Sequence, residues 1–120
     1  MAKYADGFVI PVPKKNLATY RRMAAKAAKI WREHGALDYK ECVGDDLAVP
    51  GVMPFPKGIG AKSSEVIVFS WITYKSRAQR DKVNKLVMAD PRIAKMCDPK
   101  KMPFDCARML YGGFKVMVSG

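Results

Sequence analysis

The stretch from Ser64 to Asp90, SEVIVFSWITYKSRAQRDKVNKLVMAD, limits the possible folds more than any other part of the chain. Residues 65–74 carry apolar side chains at both alternating positions, which predicts a strand that is covered on both faces. Ser76 and Gln79 follow with the spacing of a capping box, so a helix begins there. The predicted buried stripe of this helix is Val83, Leu86 and Val87.

Weaker patterns predict the remaining elements. Tyr4–Pro11 is expected to form a first strand, and Lys15–His34 a helix with Asn16 at its N-cap. The other elements are a half-exposed strand over 36–44, a loop without regular structure over 45–64, a short helix from Asp90-Pro91 to Met96, and a last strand over 108–118. Gly112 and Gly113 lie inside the last strand, and paired glycines there suggest a bulge or a close approach to the backbone.

The predicted order is β-α-β-β-α-β, the α+β ferredoxin-like arrangement in which two helices cover one face of a four-stranded antiparallel sheet. A chain of 120 residues suits a single domain, here 1–120. Because strand 65–74 is apolar on both sides and no other element is left to cover its second face, we expect a second copy to pack there. The sequence therefore predicts a homodimer through the sheet face.

The charge of the chain is unusual, because 22 Lys and Arg stand against 11 Asp and Glu, giving a net charge of +11. This excess favours weak, non-specific attraction to RNA or another polyanion. The basic residues are spread over several elements and are not interleaved with exposed aromatic residues, which is more typical of a solvated surface than of a phosphate-binding groove.

Missing motifs narrow the function classes. The sequence has no P-loop, no dinucleotide-binding glycine motif, no nucleophile elbow and no metal-ligand cluster, so no cofactor or metal is predicted. Cys42, Cys97 and Cys106 are widely spaced and are expected to be reduced thiols in or near the core. No segment is long and apolar enough to span a bilayer or to form the apolar part of a signal peptide, which predicts a cytoplasmic protein with no membrane partner.

Two titratable residues are candidates for catalysis. Asp6 lies in an otherwise apolar strand, so its carboxylate either faces solvent, pairs with an arginine such as Arg108, or lines a pocket. His34 is the only histidine, the residue type that most often serves as a general acid or base. Its position in the last turn of a helix also fits a structural role, in which it bonds to the final carbonyl groups.

A pocket between the sheet and the helices is expected to be lined by large side chains, although such residues more often simply form the core. The predicted lining residues are Tyr39, Trp71, Met88, Arg108 and Tyr111.

Six short motifs carry a family resemblance over nearly the whole chain: DGFVIPVPKKN at 6–16, EHGAL at 33–37, ECVGDD at 41–46, VFSWI at 68–72, VMADPR at 87–92, and MPFD with RMLYGGF across 102–114. Together they resemble the YbaA-like family of small bacterial proteins of unknown function. The resemblance implies a dimeric α/β barrel and carries over no catalytic residue. Cys106 departs from the glycine expected directly after MPFD.

The fold type hosts cofactor-independent oxygenases, haem-degrading enzymes, isomerases and proteins without known activity, so it does not select a function. The leading hypothesis is that the chain binds a small aromatic or carbonyl-bearing metabolite, with cofactor-independent oxidation or isomerisation as a possible reaction. The alternative is a non-catalytic module that binds RNA or another polyanion through its cationic surface. Whether the protein is an enzyme stays open.

Overall fold

The computed structural model of the chain describes residues 1–120. In chain order the elements are strand β1 (Tyr4–Pro13), a 3-10 turn (Lys14–Asn16), helix α1 (Leu17–Glu33), strand β2 (Asp38–Val43), helix α2 (Phe55–Ile59), strand β3 (Glu65–Tyr74), helix α3 (Arg77–Met88), helix α4 (Pro91–Met96), a 3-10 turn (Cys106–Arg108) and strand β4 (Leu110–Lys115). None of the helices has the length and apolar character needed to cross a membrane.

The four strands form one antiparallel sheet in the order β2-β3-β1-β4. This order and the two helical crossovers confirm the predicted ferredoxin-like fold. β4 pairs directly with β1 from Tyr4 to Val9, because the two crossovers place the outer strands on opposite sides of a central β1–β3 pair.

Strand β1 continues past the predicted end at Pro11 to Pro13, which pairs with Glu65. Lys14 N–H donates to Ser64 O on the β3 side, so the nitrogens of Pro11 and Pro13, which have the opposite parity, face away from β3. The side of β1 that faces away from β3 is paired with β4 only as far as Val9. Pro11 and Pro13 are therefore tolerated, because no ladder hydrogen bond is lost at either position.

Helix α3 begins as predicted, since the Ser76 hydroxyl accepts a hydrogen bond from the Gln79 N–H at 3.1 Å. Val83 and Val87 are fully buried, whereas Leu86 is 42% exposed, so its assignment to the buried stripe is wrong. Leu86 directly precedes Val87, and because each residue turns the helix by about 100°, its side chain points away from the stripe that Val83 and Val87 form. The next helix also agrees with the prediction, because Asp90 caps α4.

The core consists of two apolar clusters on the helix-facing side of the sheet. One is centred on Tyr74, Val83 and Val87, and the other on Val12, Tyr20 and Val68. Phe8 packs against both clusters.

The opposite face of the sheet is only partly covered. α2 lies in the stretch that we expected to be without regular structure, and its Phe55 packs against Phe69 with ring centroids 6.3 Å apart. Ile67 is buried there, while Phe69, Leu110 and Phe114 are 44%, 55% and 62% exposed. The prediction that nothing in the chain covers this face is therefore wrong at one end of the sheet and fits the rest.

Two smaller expectations are corrected. The last strand is shorter than 108–118: it begins at Leu110, after a 3-10 turn that Asp105 caps, and it ends at Lys115. It has no bulge, and Gly112 and Gly113 pair in continuous register with Gly7 and Asp6. The three cysteines, Cys42, Cys97 and Cys106, are exposed rather than in the core, because they lie on an edge strand or at the ends of short helical segments.

Candidate functional site

A cavity of about 490 Å³ lies between the sheet and helices α1, α3 and α4, and the segment before β4 closes one side. Its wall is mostly apolar, and five of the eight methionines in the chain line it: Met23, Met88, Met96, Met102 and Met109. Methionine is flexible and polarizable, so such a wall adapts to ligands of different shape. The volume falls within the usual range for small-molecule sites.

Asp6 is the buried charged residue of this cavity. Its position in β1 turns it toward the helices, and it is only 1% exposed. Arg80 of α3 meets it with 3.1 Å between Nε and Oδ1, and Arg80 Nη2 donates to the Tyr4 hydroxyl at 3.1 Å. Asp6 therefore both pairs with an arginine and lines the cavity, which are two of the three predicted alternatives. The arginine is Arg80 and not the predicted Arg108.

The contact between Asp6 and Arg80 is electrostatic, without a well-aligned hydrogen bond. Oδ1 and Nε are close, yet both atoms are buried without a hydrogen-bond partner. Burial raises the pKa of the Asp6 carboxyl, and the charge of Arg80 opposes part of that rise. Burial also acts to lower the pKa of Arg80, but the negative charge of Asp6 helps to raise it, so the guanidinium keeps its charge.

Gly113 makes room for this pair. It lies opposite Asp6 in the β1–β4 register, and a Cβ atom there would be within 3 Å of both Arg80 Nη2 and the Tyr4 hydroxyl. The predicted close approach at the paired glycines is therefore present, and the approaching group is the Arg80 side chain. Gly112, on the opposite face, lies under the ring of Phe114.

Asn84 joins the polar end of the cavity to the core. Its Oδ1 accepts hydrogen bonds from Trp31 Nε1 at 3.2 Å and from the Tyr74 hydroxyl at 3.3 Å. Asn84 also helps to lower the pKa of Asp6, against the larger rise that burial causes. Asn84 thus fixes one wall of the site.

Glu41 of β2 is the second carboxylate of the cavity. Its Oε1 accepts a hydrogen bond from the Tyr20 hydroxyl at 2.7 Å, and its Oε2 accepts one from the Tyr39 hydroxyl at 2.8 Å. Burial, with a further contribution from Glu41, raises the pKa of both tyrosines, so they remain protonated donors. A neighbouring cavity of about 460 Å³ between α1 and β2 shares Glu41 and both tyrosines.

The structure brings together some of the predicted site residues. Asp6, Tyr39, Met88 and Tyr111 all line the cavity, and Tyr111 stacks on Phe8 with ring centroids 4.9 Å apart. Whether these residues act on a ligand stays a prediction.

Three predicted site residues lie elsewhere. Trp71 is on the opposite face of the sheet, against Phe69, because it has the other parity from the helix-facing residues of β3. Arg108 pairs with Glu65, with Nη1 2.6 Å from Oε2. The assignment of Trp71 and Arg108 to the pocket wall is therefore not supported by their positions.

His34 also lies away from the cavity. It ends α1, and its Nε2 is 2.9 Å from Asp90 Oδ2. Asp90 also binds Arg92, and hydrogen bonds from Arg92 and His34 hold its pKa well below the usual range. The arrangement ties the end of α1 to the start of α4, which is a structural contact.

Sequence reasoning missed Arg80, Asn84 and Glu41. The basic residues as a group are predicted to form a solvated surface, but the Arg80 side chain is only 18% exposed. A signal was present, because Arg80 and Asn84 share the helical stripe of Val83 and Val87 at spacings of three and four. Glu41 has the same parity as Tyr39, which was expected to line the pocket.

Comparison with known proteins identifies the family. Residues 3–106 match a family model described as a protein of unknown function, DUF1428. The chain belongs to this family. Uncharacterized protein YbaA of Escherichia coli K12 is 44% identical over 116 residues, which cover 97% of each chain, and the protein of the same name from Shigella flexneri matches equally well. The resemblance seen in the sequence motifs is confirmed, and the relatives share the unknown function of DUF1428.

Two solved structures share the fold of this DUF1428 protein at low sequence identity. A dimeric ferredoxin-like protein from an uncultured marine organism superimposes with a TM-score of 0.64 at 11% identity and covers all of both chains. A nipsnap family protein of unknown function from Agrobacterium tumefaciens gives a TM-score of 0.56 at 14% identity and covers 96% of this chain and 88% of that one. These similarities support the α+β fold.

Proposed function

We propose that the protein binds a small, largely apolar molecule in the cavity between sheet and helices, with Asp6 as the polar group that orients it. The observation that carries this proposal is the buried Asp6 carboxyl on a mostly apolar wall, with an oxygen that has no hydrogen-bond donor. A buried carboxyl group is costly to keep, because removing it from water is compensated only in part by a single nearby charge. Buried ionisable groups of this kind are common at functional sites.

Asp6 is also the group best placed to exchange a proton with a bound molecule. Burial raises its pKa, which brings the carboxyl closer to the range in which it can both hold and release a proton. An isomerisation needs only that a proton is taken from one atom of the ligand and returned to another. Isomerisation and cofactor-independent oxidation stay predictions, and His34 takes no part in this proposal, because it contacts Asp90 outside the cavity.

The two tryptophans of the chain provide the test, because Trp31 lines the cavity and Trp71 does not. In a Trp71→Phe variant, the fluorescence reports on Trp31 alone. Titration with a panel of small aromatic and aliphatic compounds is expected to change that fluorescence in a saturable way and to raise Tm. The matched Trp31→Phe variant, in which Trp71 reports, is expected to show no change with the same compounds.

Asp6→Asn in the Trp71→Phe background then tests the orienting group. We expect it to weaken binding of the compounds that hydrogen-bond through a polar end, by roughly tenfold for one lost hydrogen bond to a charged group. The proposal is wrong if no compound in the panel changes Trp31 fluorescence or Tm, or if both tryptophan variants respond alike.

We further propose that two copies of the chain associate through the uncovered face of the sheet. Phe69, Leu110 and Phe114 are exposed there, and the Phe114 ring lies over the paired Gly7 and Gly112, so this part of the face is apolar and faces solvent. The marine structural relative is described as dimeric, which supports the proposal.

Light scattering after size exclusion is expected to give a dimer for the wild type and a monomer for Phe69→Asp. Circular dichroism should show that the variant is still folded. A wild-type monomer at micromolar concentration would exclude the proposal. A cytoplasmic location stays a prediction from the sequence, and subcellular fractionation would test it.

A further inference from the structure

The charges that line the cavity have the opposite sign to the charge of the whole protein. The chain has 22 Lys and Arg, yet none of them lines the cavity, and its two charged lining residues are the carboxylates Asp6 and Glu41. An anionic ligand would meet no positive group on the wall. The sign of the lining therefore favours a ligand that brings positive charge or hydrogen-bond donors.

The two carboxylates are not equivalent. Asp6 already faces Arg80, whereas Glu41 makes no ion pair with any Lys, Arg or His within 4.0 Å. Arg21 borders the neighbouring outer cavity together with Glu41, but it forms no such pair. The partners of Glu41 are two neutral phenol groups, and each carboxylate oxygen retains the capacity to accept another hydrogen bond.

Aromatic rings form much of the wall that this carboxylate shares, and two of them, Tyr20 and Tyr39, contact it directly. Six aromatic side chains line the cavity: Phe8, Tyr20, Trp31, Tyr39, Phe104 and Tyr111. The Tyr20 and Phe104 rings meet edge to face at 5.6 Å, and the Trp31 and Tyr39 rings lie 6.1 Å apart. The faces of aromatic rings attract cations, and a carboxylate among such rings is the chemistry that recognises organic ammonium ions.

We propose that the ligand of this cavity is a small organic ammonium ion with an apolar or aromatic body, and that Glu41 is its counter-ion. This inference rests on the proposed function and adds the chemical class of the ligand. The ammonium group would donate hydrogen bonds to the Glu41 oxygens, through the lone pairs that the two tyrosines leave free. The apolar body would lie along the methionine and aromatic wall.

Three probes with similar bodies and different charges test the inference: 2-phenylethylamine, 2-phenylethanol and phenylacetate. Each is titrated into the Trp71→Phe variant at neutral pH, with Trp31 fluorescence and calorimetry as readouts. A salt concentration of about 0.15 M screens charges beyond roughly 8 Å, so that the cationic surface contributes little. Any remaining surface effect favours phenylacetate, so a preference for the amine has to come from the cavity.

We expect the amine to bind about tenfold or more tightly than the alcohol, and phenylacetate to bind most weakly. Glu41→Gln is expected to remove the preference for the amine while the alcohol still binds. Glu33→Gln on the exposed surface changes the net charge by the same amount and is expected to leave the preference intact.

The outcomes separate the two proposals. If the alcohol or phenylacetate binds as tightly as the amine, the ammonium inference is wrong and cavity binding stands. If the preference for the amine survives in Glu41→Gln, Glu41 is not the counter-ion. If no probe changes Trp31 fluorescence or releases heat, the ammonium inference fails, and a similar failure of the wider compound panel would remove the proposed function as well.

Discussion

Replacement of Arg80 by methionine is expected to leave Asp6 as a buried carboxylate without a counter-ion and to lower the free energy of unfolding. Methionine keeps an apolar stem in the space of the arginine side chain and removes the charge that faces the Asp6 carboxyl. At a separation of 3.1 Å, Coulomb's law with an effective dielectric constant of about 20 gives an attraction of about 5 kcal/mol. Removing one partner of a buried ion pair typically costs about 3–5 kcal/mol, so both arguments give the same range.

The loss is expected to grow with pH. Burial holds the pKa of Asp6 above its ordinary value in the folded state, and without Arg80 the folded-state pKa is higher still. A group with a raised folded-state pKa stabilises the protein below its unfolded pKa, and this contribution is lost as pH rises toward the folded value. Between the folded-state pKa values of the wild type and the variant, Arg80→Met should therefore lose about 1.4 kcal/mol more per pH unit than the wild type.

Urea unfolding followed by circular dichroism at pH 5 and pH 8 measures both effects. Asp6→Asn and the double variant Asp6→Asn/Arg80→Met complete a double-mutant cycle, in which the double variant is expected to recover most of the stability lost by Arg80→Met. A loss below about 1 kcal/mol that does not change between the two pH values would refute the account of Asp6 as a buried, charge-compensated carboxyl.

Three further predictions follow from single contacts. Gly113→Ala places a methyl group on the Arg80 guanidinium, so we expect a loss of stability of about 2–4 kcal/mol by urea unfolding, and an unchanged midpoint would contradict the geometry. Ser76→Ala removes the N-cap of α3 and should cost about 1 kcal/mol, whereas Ser76→Asp should cost little; an equal loss in both would exclude capping. The hydrogen bond from Arg108 lowers the pKa of Glu65 from 4.5 to about 2, so the stability that this pair adds is present above pH 4.5 and lost as pH falls toward 2. An Arg108→Met series should lack that part of the acid transition, and identical acid titrations of the two proteins would show that the pair contributes nothing.

The elements of the fold were largely predictable because their signals are local. Strand β3 has the predicted bounds, and the caps at Ser76 and Asp90 are formed by the expected side chains. The loop that contains α2 was the exception. Its five helical residues include a proline and a glycine, and they are too few to show a helical period in the sequence.

The site was harder to predict because it depends on which face of each element is covered. Strand β3 is apolar on both faces, so alternation alone does not decide whether Ser70 or Trp71 faces the helices. Arg80 was misjudged for a different reason. Its charge suggested solvent, although its helical position placed it beside Val83, and its burial depends on a carboxylate far away in sequence.

The position of β1 in the centre of the sheet has a consequence for how the chain folds. Strand β1 has both of its neighbours far away in the sequence, since Tyr4 pairs with Tyr74 on one side and with Lys115 on the other. Contacts between such distant residues slow folding, because a long loop has to close before they form. During synthesis α1 can form early as a local helix, while the apolar β1 has no strand partner until β3 has been made, and its second side stays unpaired until β4 follows.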